Sequence, residues 1–182
     1  NEKGELEVKE DVSETCQYYA YFFEAADESE KFSYLKNMVL NVFGPDNKEG
    51  EERKNVAPAN AFIGNYLRLM ILLKMKNFDK VISNVIGYFS NMWATTCTLW
   101  EHDDIKRGSL NHGFASYAAV LICYALSGIC DINHKEKKIF IDKDHISKTD
   151  YSFKLGTEDG VISVNQKNGE KNIVVPVGWK LI

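Results

Sequence analysis

The sequence predicts a mainly α fold, with helical hairpins in residues 1–130 followed by a small antiparallel β domain in residues 131–182. Up to residue 130, apolar residues recur at the spacing of three and four that marks one face of a helix. From residue 131, apolar and polar residues alternate, as is typical of half-buried strands. Short loops between the helical segments indicate antiparallel neighbours, so the helices are predicted to form part of a helical toroid or a helical repeat.

The first two helices are predicted from serine caps and a Gly-Pro stop. Ser13 can cap the helix through TCQYYAYFFEAA, and Ser29 can cap EKFSYLKNMVLNVF. A serine at these positions accepts a hydrogen bond from the free N–H groups of the first turn. Gly44-Pro45 should end the second helix. In the first helix Tyr18 to Phe23 are strongly aromatic. Either this segment packs on two sides, or Glu14, Gln17 and Tyr18 line a cavity.

The remaining helices are predicted from proline, acidic and glycine signals. Pro58 is expected to open the third helix, because proline suits the first helical position. Asp79 suits the first turn of the fourth, where a carboxylate meets the positive end of the helix dipole. The fifth helix is predicted to begin at Ser109 and to end at Gly128.

The C-terminal segments predict strands joined by tight turns. Alternating patterns occupy KKIFIDKD, YSFKLG, GVISVNQK and KNIVVPVG. Asp159-Gly160 is a turn signal, and Asn168-Gly169 favours a two-residue hairpin because both residues tolerate positive φ. A unit with so few strands is expected to pack against the helices or to form part of a β-sandwich.

Composition excludes several classes of partner. The net charge of −4 and the lack of a basic face argue against nucleic acid. The longest apolar runs are too short to span a bilayer, so no membrane segment is predicted. No signal peptide is predicted from the first residues, and the beginning of the chain is interpreted as that of a fragment. The four cysteines lack metal-ligand spacing and are predicted to be small buried thiols.

The stretch from Thr95 to Phe114 carries the candidate chemistry. Glu101 follows Trp100 directly, and His112 and Asn111 come shortly before an apolar run. A catalytic carboxylate in a sugar site needs a partly dry pocket, an aromatic wall and neighbours that adjust its charge. Trp100 could supply the wall, His112 could donate to a sugar hydroxyl, and Asn111 could do the same.

Purely structural roles for these residues stay open. Trp100 could be a core anchor and Glu101 a solvated loop residue, since most loop charges are only solvated. His112 and Asn111 could simply satisfy a helix start. The run from Glu101 to Asp104 is consecutive rather than at ligand spacing, so neither a metal site nor a cofactor is predicted.

These residues resemble a known family of enzymes. Leu99-Trp100-Glu101, followed by Ser109 to Ser116 (SLNHGFAS), is similar to the end of the catalytic domain of bacterial α-L-rhamnosidases. The upstream segments SETCQYY and NAFIGNY resemble a Bacteroides-type branch of that family. The resemblance covers nearly the whole chain, and its specific part is the Trp-Glu pair together with Asn-His.

The resemblance implies an (α/α)6 barrel, of which this chain would hold the C-terminal helices. It implies an inverting six-hairpin glycosidase that releases terminal α-L-rhamnose from glycosides or polysaccharides. Glu101 would be the general base, and Trp100, Asn111 and His112 would line the substrate site. The general acid would lie outside this chain, a periplasmic or extracellular location is favoured, and self-association would cover exposed helix faces.

Two other classes of function compete with this one. A non-catalytic helical-hairpin module that binds carbohydrate or protein would use Trp100 as a core residue. A related enzyme that acts on a uronate by elimination would need arginine to neutralise a carboxylate, and the arginines are only Arg53, Arg68 and Arg107. The module predicts a recurring motif between hairpins, and none of fixed period occurs, since SETCQYY and NAFIGNY are not repeats of each other.

Overall fold

The computed structural model describes residues 12–25, 30–47, 53 and 55–182. The chain divides into two compact units. Unit 1 comprises the described residues of Asn1–Ile71 together with Ser83–Ala118, and unit 2 comprises Leu72–Ile82 and Ala119–Ile182. The predicted cap at Ser29 lies outside the described residues.

The first helix begins as the sequence predicts. Strand β1 (Val12–Ser13) pairs in parallel with β2 (Val56–Ala57). Helix α1 (Glu14–Phe22) starts where Ser13 Oγ accepts from the backbone N–H of Cys16 at 3.2 Å. The cap prediction is therefore confirmed.

The second helical segment also ends where predicted. Helix α2 (Glu30–Asn37) continues into a wide π-helical turn, Met38–Val42. The chain then leaves the helix at Phe43 and turns at Gly44, whose φ of +124° suits glycine.

Later helices differ from the prediction at their N-termini. Helix α3 (Phe62–Lys74) begins four residues after Pro58, and helix α4 (Phe78–Thr96) carries Asp79 in its first turn as expected. Helix α5 (Tyr117–Ser127) follows a single 3-10 turn, Gly113–Ser116, so the predicted start at Ser109 is wrong. Its predicted end is confirmed, since Gly128 follows with a φ of +80°.

Strands fill the rest of unit 2. They are β3 (Ile129–Asn133), β4 (Lys138–Ile141), β5 (Tyr151–Thr157), β6 (Gly160–Lys167), β7 (Glu170–Val174) and β8 (Lys180–Leu181). One sheet has the order β3-β4-β8, with β4 and β8 parallel, and the other is the antiparallel meander β5-β6-β7. The predicted hairpin at Asn168-Gly169 is confirmed, with φ of 52° and 81° at its two residues.

The predicted fold class is wrong. The described residues contain five helices and eight strands in three small sheets, with no sign of an (α/α)6 barrel. The predicted β domain is also not purely antiparallel, because β4 and β8 pair in parallel. Helical periodicity shows which face of a segment is buried but does not show how the segments are arranged around an axis.

A buried polar network joins the elements of unit 1. Glu14 accepts from the backbone N–H groups of Gly44 at 3.1 Å and Ala59 at 2.7 Å, and it pairs with Arg53 at 2.7 Å. Arg68 on α3 donates to Asn84 on α4 at 2.6 Å and to the carbonyl of Val39. Because these partners come from separate segments of the chain, the network fixes how the segments meet.

In unit 2 a lysine ties β7 to the end of α5. Lys171 Nζ donates to the backbone carbonyls of Ser127 at 3.1 Å, Asp142 at 3.1 Å and His145 at 2.7 Å. A cation at the C-terminus of a helix satisfies carbonyls that have no partner within the helix. Burial lowers the pKa of Lys171.

The prediction that the four cysteines are buried is only partly correct. Cys130 is buried, whereas Cys16 and Cys97 are exposed.

On α4 two large apolar side chains, Ile86 and Trp93, are exposed. They lie seven positions apart and so share one face of the helix. The predicted self-association through exposed helix faces stays a prediction.

Candidate functional site

The candidate site lies in unit 1, where three backbone segments meet around Glu101. The amide of Glu101 donates to the carbonyl of Ser109 at 2.9 Å, and the amide of His112 donates to the carbonyl of Leu99 at 2.8 Å. On the other side, the amide of Phe62 donates to the carbonyl of Glu101 at 2.9 Å. The backbone of Glu101 is therefore held on both sides, and its side chain projects from a fixed position.

The Glu101 carboxylate is held by one of its oxygens. Oε2 accepts from the backbone N–H of Ser109 at 3.0 Å and lies 4.0 Å from His112 Nδ1. The second distance is within ion-pair range but is too long for a hydrogen bond. Oε1 has no hydrogen-bond partner within the described part of the chain, so it is the oxygen that can take a proton from a bound molecule. The Glu101 side chain is 35% exposed and that of His112 is 21% exposed.

Aromatic rings stand beside this carboxylate. The ring of His112 lies 4.5 Å from that of Phe62, and Phe62 stacks on Phe114 at 6.0 Å with 12° between the planes. Phe114 is 76% exposed, so it presents a free aromatic face to solvent. These rings and Glu101 form what we call the Glu101 pocket: Phe62, Glu101, His112 and Phe114.

Trp100 does not belong to the Glu101 pocket. It is 2% exposed, and its indole N–H donates to Thr96 Oγ1 at 2.7 Å. Its backbone amide points at the sulfur of Met92 at 3.3 Å. The structure thus places Trp100 in the core, where neither ring face can meet a ligand. Of the two alternatives at this position, the core anchor fits the geometry.

The other sequence candidates differ in accessibility. Asn111 is exposed, and its backbone amide donates to Ser109 Oγ at 3.2 Å. His112 precedes the 3-10 turn instead of standing in the first turn of a helix. Its Nε2 is buried and has no partner among the described residues.

Sequence reasoning missed the aromatic wall and the backbone donor. A helix that begins at Ser109 would include Phe114, whereas the 3-10 turn leaves the Phe114 ring exposed. No local pattern shows that Phe62 and Phe114 meet, because they come from distant segments of the chain.

No metal cluster is built around this pocket. Within residues 12–25, 30–47, 53 and 55–182, no group of three or more His, Cys, Asp or Glu side chains is arranged to hold a metal ion. In the same residues, no helix is both long and apolar enough to cross a membrane.

Gly108 controls the position of the carboxylate. Its φ is +64°, and a Cβ there would lie 2.6 Å from Glu101 Oε2 and 2.9 Å from His102 Cδ2. Gly113, in the neighbouring 3-10 turn, has nothing within 4 Å of the same position. The tight turn at Gly108 is therefore what lets the Ser109 amide reach Glu101.

Gly108→Ala is expected to destabilise the chain by about 1 kcal/mol and to displace the Glu101 carboxylate, because alanine is strained at positive φ and its methyl group would collide with Oε2. Gly113→Ala, the control, is expected to stay within about 0.5 kcal/mol of the parent. Denaturant unfolding and the amide shift of Ser109 measure the two effects. Equal behaviour of the two variants would contradict this account of the turn.

Comparison with known proteins finds no relative. No protein-family model matches the chain, and neither a curated protein nor a solved structure matches it.

Proposed function

We propose that the Glu101 pocket binds a sugar ring and that Glu101 serves there as the general base of an inverting glycoside hydrolase. Terminal α-L-rhamnosides are the substrates that the resemblance of the sequence implies. The observation that carries the proposal is the carboxylate itself. Oε2 is held by the Ser109 amide, Oε1 is available, and His112 and the exposed Phe114 stand beside it.

The aromatic face suits a sugar. The C–H bonds on one side of a pyranose pack against an aromatic ring, which removes apolar surface from water. Phe114 offers such a face within reach of two polar groups, because its ring centroid lies 5.7 Å from that of His112. Glu101 Oε1 can then accept from a hydroxyl group of the same ring.

The chemistry assigned to Glu101 is proton removal from water. As the water oxygen forms its bond to the anomeric carbon, Glu101 takes its proton and the glycosidic C–O bond breaks on the opposite face. The leaving oxygen needs a proton from a general acid, and we assign that acid to a residue outside this chain. Inverting enzymes hold their two carboxyl groups about 6.5–9.5 Å apart, which leaves room for the water.

Hydrolysis of an aryl α-L-rhamnoside by the 182-residue chain tests the proposal. An activated aryl group leaves with little help from an acid, so the base alone can support slow turnover. Glu101→Gln is expected to lower that turnover by about 10²–10⁴-fold, the usual contribution of general-base catalysis. Asp104→Asn is the control, since this neighbouring loop carboxylate is exposed, pairs with Arg107 at 3.6 Å and accepts from the backbone N–H of Lys106, a bond that the Asn oxygen can keep.

Azide gives the test a second readout. It attacks carbon without a base, so it should restore product formation in Glu101→Ala as a glycosyl azide of inverted configuration. Equal turnover by the parent and Glu101→Gln would remove the catalytic role assigned to Glu101.

A second candidate is a carbohydrate-binding module without catalysis. The high exposure of Phe114 favours it, because open aromatic faces suit binding of a sugar at a surface. Sugar-dependent amide shifts at Ser109 and His112, without turnover or azide product, would select this candidate over the hydrolase.

A further inference from the structure

A cavity in unit 2 shares no residue with the Glu101 pocket. It has a volume of about 340 Å³ and is lined by His134, Lys135, Lys137, Glu158, Asp159 and Trp179. These residues come from the turn between β3 and β4, the turn between β5 and β6, and the segment before β8. Small-molecule sites span roughly 300–1,000 Å³, so the cavity suits one small ligand and not a chain.

A fixed ion pair forms one wall of this cavity. Asp159 Oδ1 accepts from Lys137 Nζ at 2.6 Å, and Oδ2 accepts from the indole N–H of Trp179 at 2.9 Å. These two hydrogen bonds hold the pKa of Asp159 below its usual value, the bond from Lys137 having the larger effect. The carboxylate is therefore ionised near neutral pH, and its orientation is set from two sides.

Backbone hydrogen bonds hold the residues that form this side of the cavity. The amide of Lys180 donates to the carbonyl of Lys137 at 2.9 Å, and the amide of Trp179 donates to that of Pro176 at 3.1 Å. The buried indole of Trp179 meets the imidazole of His134 edge-on at 5.5 Å. The backbone that carries the polar groups of the cavity is thus held by hydrogen bonds. This lowers the entropy cost of ordering these groups around a ligand.

Charge selects the class of ligand. Two lysines and two carboxylates line the cavity, so their formal charges cancel. An anion would meet Asp159 and Glu158, and a cation would meet Lys135 and Lys137, so a neutral ligand avoids both repulsions. A hydroxyl group can donate to a carboxylate while it accepts from an ammonium group. Two adjacent hydroxyl groups would use the Asp159–Lys137 pair fully.

We propose that this cavity is a further sugar-binding site, which takes one neutral sugar ring through two vicinal hydroxyl groups at Asp159 and Lys137. His134 and Trp179 border the ring. The site does not depend on Glu101, and it would bind sugar whether or not the Glu101 pocket is catalytic.

Titration of the 182-residue chain with methyl α-L-rhamnopyranoside and methyl α-D-mannopyranoside tests the proposal by amide and indole NMR shifts. Saturable shifts are expected at His134, Lys137 and the Trp179 indole. Lys137→Met is expected to weaken binding about tenfold or more, as loss of a charged hydrogen bond does. Lys138→Met is the matched control, because Lys138 also holds a carboxylate, that of Glu136, at 2.6 Å but does not line the cavity.

Asp159→Asn provides a second variant, and the strand resonances of each variant report whether unit 2 stays folded. No shifts at the cavity up to about 100 mM sugar, a hundredfold above a millimolar Kd, would overturn the proposal. Equal affinities of Lys137→Met and Lys138→Met would also overturn it, as would shifts with glycine or inorganic phosphate but not with sugar. Shifts at Ser109 and His112 report the Glu101 pocket, so the failure of one site can be told from the failure of the other.

Discussion

Glu14→Gln is expected to lower the free energy of unfolding by about 3–5 kcal/mol, the range seen when one partner of a buried ion pair is removed. Glu14 is 1% exposed and pairs with Arg53, which is also buried. Gln keeps the shape and one acceptor oxygen, but it leaves the guanidinium without a counter-charge. It also weakens the two backbone hydrogen bonds, from Gly44 and Ala59, that hold α1 to the chain around it.

Two further variants show whether the loss of stability comes from the unpaired buried charge. Asp104→Asn removes an exposed carboxylate of unit 1 and is expected to cost less than about 1 kcal/mol, as surface pairs do. Glu14→Gln combined with Arg53→Met is expected to recover much of the loss, because an apolar replacement of both partners removes the unpaired charge. Urea unfolding followed by fluorescence measures all of these. If Glu14→Gln costs no more than Asp104→Asn, the pair is not buried in solution.

The role of Glu14 could not be read from its place in the sequence. At a helix start it indicates a polar residue of the first turn, and Ser13 beside it was correctly predicted as the cap. The partners of Glu14 lie 30 and 45 positions away, at Gly44 and Ala59. Local patterns carry no information on such pairings, so neither the buried network nor its effect on stability follows from periodicity.

The contrast between local requirements and long-range pairings also explains which element boundaries were predictable. Gly128 and Asn168-Gly169 were found because positive φ is a local requirement that glycine and asparagine meet. Ser109 looked like a helix cap, but its carbonyl accepts from Glu101 and its hydroxyl accepts from the amide of Asn111. The first bond is non-local, and the second is the local alternative by which serine competes with a helix.

The Trp-Glu dipeptide located the candidate site but not the direction of its side chains. The backbone of Glu101 is bonded to Ser109 on one side and to Phe62 on the other. Trp100 is 2% exposed, whereas the Glu101 side chain is 35% exposed. The indole therefore enters the core while the carboxylate stays at the surface. The aromatic wall came instead from Phe62 and Phe114, which meet only after folding.

Trp100→Ala is accordingly expected to lower the free energy of unfolding by about 3–5 kcal/mol, as does removal of other large core side chains. Trp100→Phe should cost less, because it keeps apolar volume and loses mainly the hydrogen bond to Thr96. Trp93→Ala is the matched control, since that indole is 62% exposed on α4. Its change should stay within about 0.5 kcal/mol.

Sugar titration of Trp100→Phe distinguishes a structural role of Trp100 in the core from a role in binding sugar. A core anchor predicts a less stable chain whose Ser109 and His112 shifts with sugar match those of the parent at temperatures where both are folded. A substrate wall predicts the reverse, with stability kept and the shifts lost. Because the indole has almost no surface open to solvent, we expect the first result. The second result would mean that Trp100 leaves the core when sugar binds, so that the aromatic face beside Glu101 includes this indole as well as Phe114.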